Sequence, residues 1–190
     1  MKTLLVLGAG GHGKSVAEAA LLGGEWQRVW FLDDSYPERT MSLGCEIVGC
    51  VAALAEFADQ AQGAIAAVGN NEVRAQWCDA IEAVGLELVN VFHPQSIVSP
   101  SAKLGRGIAV MAGAVVGTEA VLARGALVNA NATVDHDARL DAFAHLGVGV
   151  QIAGGVVVGA HAWLQAGASC GYHVVVPEGA RIGPSIGLSA

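Results

Sequence analysis

The sequence predicts a two-part protein: a small α/β domain over residues 1–94, then a parallel β-helix of hexapeptide repeats over 95–190. Three observations carry this. Strand-like and helix-like stretches alternate up to Val91. Beyond the His93-Pro94 junction an apolar residue recurs at every sixth position. The composition changes at the same place, since 17 of the 27 charged residues precede position 95.

The first half reads as strand Thr3–Leu7, helix His12–Leu22, strand Val29–Leu32, helix Ala52–Ala61, strand Ala64–Val68, helix Asn71–Val84 and strand Glu87–Val91. Alternating strands and helices on this scale build a small parallel sheet covered by helices. In the second half, steps of six from Val98 meet Leu104, Val110, Val116, Leu122 and so on to Ile182, every one apolar. Four residues after each of these stands Ala, Val or Ile, from Ala102 to Ile186. Such a period marks a solenoid. Each unit is a short strand and a turn, and three units close one triangular coil of eighteen residues. Coils stack at about 4.8 Å through backbone hydrogen bonds. A narrow interior explains the small residues of the second register. The period sets the prism but not its hand.

Composition excludes several classes. Hydrophobic residues make up 53% and charged residues 14%, which no disordered chain sustains. A net charge of −7 argues against nucleic-acid or anionic-membrane binding. Residues 142–177 carry no Asp, Glu, Lys or Arg, yet their apolar residues follow the period of six and not that of a spanning helix. The apolar run of MKTLLVLGAGG stops at a Gly-rich turn and reads as a first strand, not a signal peptide. Cys45, Cys50, Cys78 and Cys170 form no CxxC pair, consistent with reduced thiols in a cytoplasmic protein.

Two motifs carry chemistry. Gly8-Ala9-Gly10-Gly11-His12-Gly13 follows the first strand and opens the first helix, and Lys14 continues it. Glycines there permit a tight turn and close approach of a phosphate to the helix N-terminus. Asp33 and Asp34 end the second strand, placed to accept from a ribose or base edge. NAD, a nucleotide carried by a sugar, and a ligand-free turn are the readings. About 90 residues form only half of a usual dinucleotide domain, which disfavours NAD.

The second motif is Asp135-His136-Asp137, at turn positions that face outward. Eighteen residues on, one coil away, lies Gly154 in Ala153-Gly154-Gly155. That spacing predicts a bare, exposed peptide N–H beside an imidazole, the arrangement of a general base next to an oxyanion donor. Asp137 would fix the tautomer. The remaining histidines, His145, His161 and His173, raise the question of zinc, but the spacings lack an H-x4-H pair and no metal is expected. Trp163, one coil beyond His145, reads equally as a platform or as a subunit contact.

Taken together, GAGGHGKS, FLDD (Phe31–Asp34), VGNNEVR (Val68–Arg74), HPQSIVSPSA and NANATVDHDARLDAFAHLGVGVQIAGGVVVG resemble the bacterial sialic-acid O-acetyltransferase and nucleotide-aminosugar N-acetyltransferase family. The resemblance covers nearly the whole chain. It implies a left-handed parallel β-helix, a homotrimer, acetyl-CoA as donor in a groove between neighbouring prisms, and a UDP-, GDP- or dTDP-linked sugar bound by the α/β domain. By position, His136 resembles the catalytic base, Asp137 the acidic residue that orients it, His145 the contact to the acetyl donor and Gly154 the oxyanion donor. Gly10, Gly11, His12, Gly13 and Lys14 resemble the phosphate loop. Asp33 and Asp34 resemble nucleotide contacts, and Asn129 the asparagine near the sugar. After Ile182 the chain reads GPSIGLSA, where family members carry a G-x-P-A-K turn. The acceptor implied is the amine of a 4-amino-deoxy sugar. The alternatives are a sugar hydroxyl, as on sialic acid, or a zinc enzyme on the same prism.

Overall fold

The computed structural model describes all residues, Met1–Ala190, in two compact units, Met1–Val91 and Phe92–Ala190. The first is built on five strands: β1 (Thr3–Leu7), β2 (Arg28–Leu32), β3 (Met41–Ser42), β4 (Cys45–Gly49) and β5 (Gly63–Ala66), in the order β3-β4-β2-β1-β5. All neighbours run parallel except the β3–β4 hairpin. β1 lies inside the sheet between β2 and β5 and is wholly buried, which fits its unbroken apolar run. Helices α1 (Gly11–Leu22) and α3 (Asn71–Ala83) flank it, with the short α2 (Leu54–Phe57) between them in sequence. Asn70 caps α3, its Oδ1 accepting from the Glu72 and Val73 N–H groups at 3.0 and 3.1 Å.

Three elements differ from the sequence reading. The helix expected over 52–61 is broken into α2 between two short 3₁₀ turns, none of them capped by the side chain of its own N-cap residue. The strand expected at Glu87–Val91 reduces to a single bridge between Leu88 and Ala64, and Val91–Phe92 instead starts the prism. The β3–β4 hairpin was not expected. Its two-residue turn, Leu43-Gly44, has φ of 49° and 71°, and leucine is a poor signal for that left-handed geometry.

The second unit is a triangular parallel β-helix of two-residue strands on three faces. The first face holds Val115–Val116, Thr133–Val134, Gln151–Ile152 and Ser169–Cys170; the second Val121–Leu122, Arg139–Leu140 and Val157–Val158. The third holds Leu127–Val128, His145–Leu146 and Trp163–Leu164. Every pairing joins residues eighteen apart. Both apolar registers point inward, and the middle coils are sealed: Val134, Leu140 and Leu146 are buried, as are Ala132, Ala138 and Ala144. The register loosens in the last coil, where Ile186 is 48% exposed. No helix is long and apolar enough to cross a membrane.

Candidate active site

The Gly-rich loop lies between β1 and α1. Gly8 has φ of 100°, and a Cβ there would stand 2.9 Å from the Ala67 carbonyl oxygen. A Cβ on Gly13 would collide with the Gly8 carbonyl, so these two glycines are demanded by packing. Gly10 and Gly11 are different: nothing lies within 4 Å of a Cβ built on either, and both are exposed. The open space sits at the α1 N-terminus, where unpaired N–H groups and the helix dipole favour an anion.

The acidic pair behind the loop is engaged within the chain. Asp33 Oδ2 accepts from the Ala9 N–H at 2.6 Å, and Oδ1 accepts from the Ser35 N–H and hydroxyl at 3.0 and 2.5 Å. Burial opposes the ionisation of Asp33, but the Ala9 and Ser35 hydrogen bonds and the Arg39 charge outweigh it and hold its carboxyl below the usual range. Asp34 Oδ1 accepts from the Val51 N–H at 3.1 Å. On the next peptide, Arg39 and Ser42 both donate to the Ala9 carbonyl, at 3.2 and 3.1 Å. Residue Ala9 is therefore gripped at both its N–H and its carbonyl. Arg39 and Ser42 carried no signal in the sequence, because the unexpected hairpin brings them to the loop.

His12 and Lys14 face different environments. Lys14 is exposed, whereas His12 is half-buried with its Nε2 enclosed and without a hydrogen-bond partner. Burial, helped by the charge of Arg74, lowers its pKa to about 4, so the loop holds a neutral imidazole. Arg74 itself is 2% exposed. It donates to the Val68 carbonyl at 3.1 Å and to Asn71 Oδ1 at 2.9 Å, tying down the β5–α3 turn. This is the structural role of the VGNNEVR segment.

On the prism, His136 lies on the edge between the first and second faces. Its Nδ1 is 2.7 Å from Asp137 Oδ2, and its backbone N–H donates to Asp135 Oδ1 at 2.7 Å. Asp137 reaches the ring from a left-handed backbone, φ 58°. A carboxylate accepts only, so Nδ1 carries the hydrogen and Nε2 keeps its lone pair. The Asp137 hydrogen bond, and then the Asp135 charge, raise the pKa of this exposed histidine above its ordinary value.

Gly154 stacks one coil beyond. A Cβ on it would stand 2.5 Å from Cε1 and 2.6 Å from Nε2 of His136, so the ring rests where a side chain would have been. The peptide expected to be open is instead buried beneath the imidazole. Beside this edge runs a groove of about 380 Å³ lined by Thr133, Asp135, Gln151, Ala153, Ser169 and Gly171.

Two predicted residues lie elsewhere on the prism. His145 sits on the third face, opposite the His136 edge, buried and stacked on Trp163 with centroids 5.5 Å apart. On the same face the Arg181 guanidinium lies 5.9 Å from the Trp163 ring centroid. Asn129 lies on the edge between the third and first faces, its Oδ1 accepting from the Ala130 N–H at 2.8 Å. No three His, Cys, Asp or Glu side chains gather closely enough to hold a metal ion.

Comparison with known proteins fits this architecture. Residues 3–81 match the family model described as the PglD N-terminal domain. UDP-N-acetylbacillosamine N-acetyltransferase of Bacillus subtilis (strain 168) is 32% identical over 115 residues, 59% of this chain. That alignment spans about half, 52%, of the Bacillus enzyme. The acetyltransferase domain of PglB from Neisseria gonorrhoeae FA1090, solved with acetyl coenzyme A, is 35% identical with a TM-score of 0.79, over 95% of each chain. A histidine-to-asparagine mutant of perosamine N-acetyltransferase from Caulobacter crescentus, solved with CoA and GDP-perosamine, is 34% identical with a TM-score of 0.83, over 99% of this chain and 91% of that one. The fold is thus an α/β unit followed by a left-handed parallel β-helix of the acyltransferase class. Within that class, the chain belongs to the nucleotide-sugar N-acetyltransferase family.

Proposed function

We propose that the protein transfers the acetyl group of acetyl-CoA to the amine of a nucleotide-linked 4-amino-deoxy sugar, with His136 as general base. One observation carries the chemistry: the Asp137 carboxylate holds Nδ1 of His136 at 2.7 Å, which leaves Nε2 as acceptor. The ring lies directly over the Gly154 peptide. The relatives supply the substrate class: one is solved with acetyl coenzyme A, another with CoA and GDP-perosamine, and a third is named for acetylating a UDP-linked amino sugar.

The steps follow from the side chains. Nε2 takes a proton from the sugar amine as its nitrogen attacks the thioester carbonyl, help worth about 10²–10⁴-fold. Asp137 stabilises the imidazolium that forms. The Gly154 N–H, which lies beneath the ring, serves the developing oxyanion when the ring moves to take the proton. The groove along Thr133, Gln151, Ile152 and Ser169, of mixed polar and apolar lining, admits the acetyl-CoA arm. The loop from Gly10 to Lys14 receives the pyrophosphate in the space that Gly10 and Gly11 leave open, with Gly13 and the neutral His12 shaping it. Asp33 acts by holding that loop, and Asp34 by capping the turn at Val51.

His145 and His136 stand on opposite sides of one prism, so a site that uses both draws them from two copies of the chain. This supports a homotrimer, with His145 meeting the acetyl donor held at a neighbour's His136 and Asn129 approaching the sugar from a further edge. Four cysteines free of disulfides are in keeping with a cytoplasmic setting. Thiol release from acetyl-CoA, measured across UDP-, GDP- and dTDP-linked 4-amino sugars and free sialic acid, tests the reading. Turnover is expected with a nucleotide-linked amine; turnover with sialic acid alone would replace N-acetylation by O-acetylation.

A further inference from the structure

One imidazole remains beside the His136 notch without an assigned role. Along the edge between the first and second faces, side chains stack in two columns eighteen residues apart. One contains His136, Gly154 and Tyr172, and the other Asp137, Gly155 and His173. Backbone hydrogen bonds tie the columns together. The Gly155 N–H donates to the His136 carbonyl at 3.1 Å, and the His173 N–H donates to the Gly154 carbonyl at 3.2 Å.

The two rings meet the glycine pair from opposite sides. His136 leans onto Gly154 from the coil before. His173 leans onto Gly155 from the coil after, where an added Cβ would collide with Nδ1 and stand 2.8 Å from Cε1. Consecutive Cα atoms are about 3.8 Å apart. The glycine pair is therefore a narrow floor bracketed by two imidazoles, and His173 is exposed to solvent.

We propose that His173 is the general acid for the departing thiol; this rests on the acetyl-transfer reading above. Thioester aminolysis has three polar poles. The amine nitrogen loses a proton, the carbonyl oxygen gains charge, and sulfur leaves with the C–S bonding pair. His136 serves the first and the Gly154 N–H the second. Among the other titratable groups at this floor, Asp135 and Asp137 are turned to His136. Tyr172, its ring centroid 6.4 Å from that of His173, stands in the His136–Gly154 column and not over Gly155. His173 is the group suited to the third pole.

The balance closes. The amine lone pair forms the C–N bond and the carbonyl π pair moves to oxygen. That pair returns as the C–S bond breaks. Sulfur keeps the C–S electrons and takes the proton of the His173 imidazolium, while His136 holds the proton from nitrogen. Both rings are open to water, which resets their protons between turnovers.

A thiol with a pKa of about 8.5 leaves tolerably unaided, so the expected gain is ~10–100-fold, at or below the low end of general acid catalysis. The test compares wild type, His173→Asn and His173→Gln, with acetyl-CoA and with an acetyl thioester of an acidic aryl thiol. Asparagine suits the left-handed backbone at this position, φ 61°, so the turn is retained. The expected result is a kcat lower by ~10–100-fold with acetyl-CoA and within about threefold of wild type with the aryl thioester, at an unchanged KM for acetyl-CoA. Equal losses on both donors, no loss, or a change confined to KM would overturn the assignment. Wild type that releases no thiol with any nucleotide-linked amine would remove the parent reading, and this step with it; an active wild type isolates the result to His173.

Discussion

His136 and Gly154, eighteen residues apart, are in face-to-face contact: the imidazole occupies the volume that any side chain at 154 would fill. Gly154 has no positive φ, so its requirement is for space and not for backbone freedom. Gly154→Ala is expected to push the ring off its seat. The half-exposed ring can swing outward, so the cost falls on chemistry rather than on folding. The expected outcome is kcat lower by ~10²–10³-fold with little change in thermal midpoint, read by steady-state kinetics beside a melting curve.

Asp137 raises the pKa of His136, which sets the sign of the pH dependence. A general base works as the neutral form, whose fraction grows as pH rises through the pKa. A raised pKa therefore puts the acid limb of kcat/KM above the ordinary imidazole value. Asp137→Asn is expected to move that limb to lower pH while lowering the plateau by ~10²-fold or more, through loss of tautomer control. A pH–rate profile of both proteins measures the two effects together. An unmoved limb would detach Asp137 from the base.

Asp33 holds the Gly-rich loop by accepting from the Ala9 N–H. Its pKa is depressed in the folded chain, so what it contributes is complete above the ordinary carboxylate pKa and is lost as pH falls through the folded value. Asp33→Ala is expected to raise KM for the nucleotide sugar by ~10–100-fold and leave kcat within a small factor, because the loop moves while the His136 notch does not. Titration calorimetry with the nucleoside diphosphate checks the binding loss directly.

Arg74 is buried and its guanidinium satisfies the carbonyls of the β5–α3 turn. Arg74→Leu leaves the Val68 oxygen and the Asn71 side chain short of a donor inside the fold. A destabilisation of ~2–4 kcal/mol is expected, read by denaturant unfolding of the α/β unit. The same change removes the positive neighbour that helps keep His12 neutral. The His12 pKa, followed by NMR, is expected to rise while burial still holds it below an exposed histidine.

How much of this was legible depended on sequence distance and on repetition. The prism interior could be read because Val134, Ile152 and Cys170 return to one place every eighteen residues. The same arithmetic put Gly154 beside His136. It did not show that the ring would cover the peptide, since a rotamer leaves no trace in the spacing. The α/β unit yielded β1, β2 and β5 but neither the β3–β4 hairpin nor the clamp it brings. Arg39 and Ser42 reach Ala9 only through a hairpin whose turn, Leu43-Gly44, has no usual turn signature. His173 was visible as a residue and not as a neighbour of His136, because two glycines, not a direct contact, join them.

The acyl-transfer claim rests most heavily on His136, and one substitution isolates it. His136→Asn removes the base and keeps a polar side chain over Gly154. With acetyl-CoA and the best nucleotide-linked amino sugar, kcat is expected to fall by ~10²–10⁴-fold while the melting temperature is retained. A folded His136→Asn protein that turns over at the wild-type rate would contradict it.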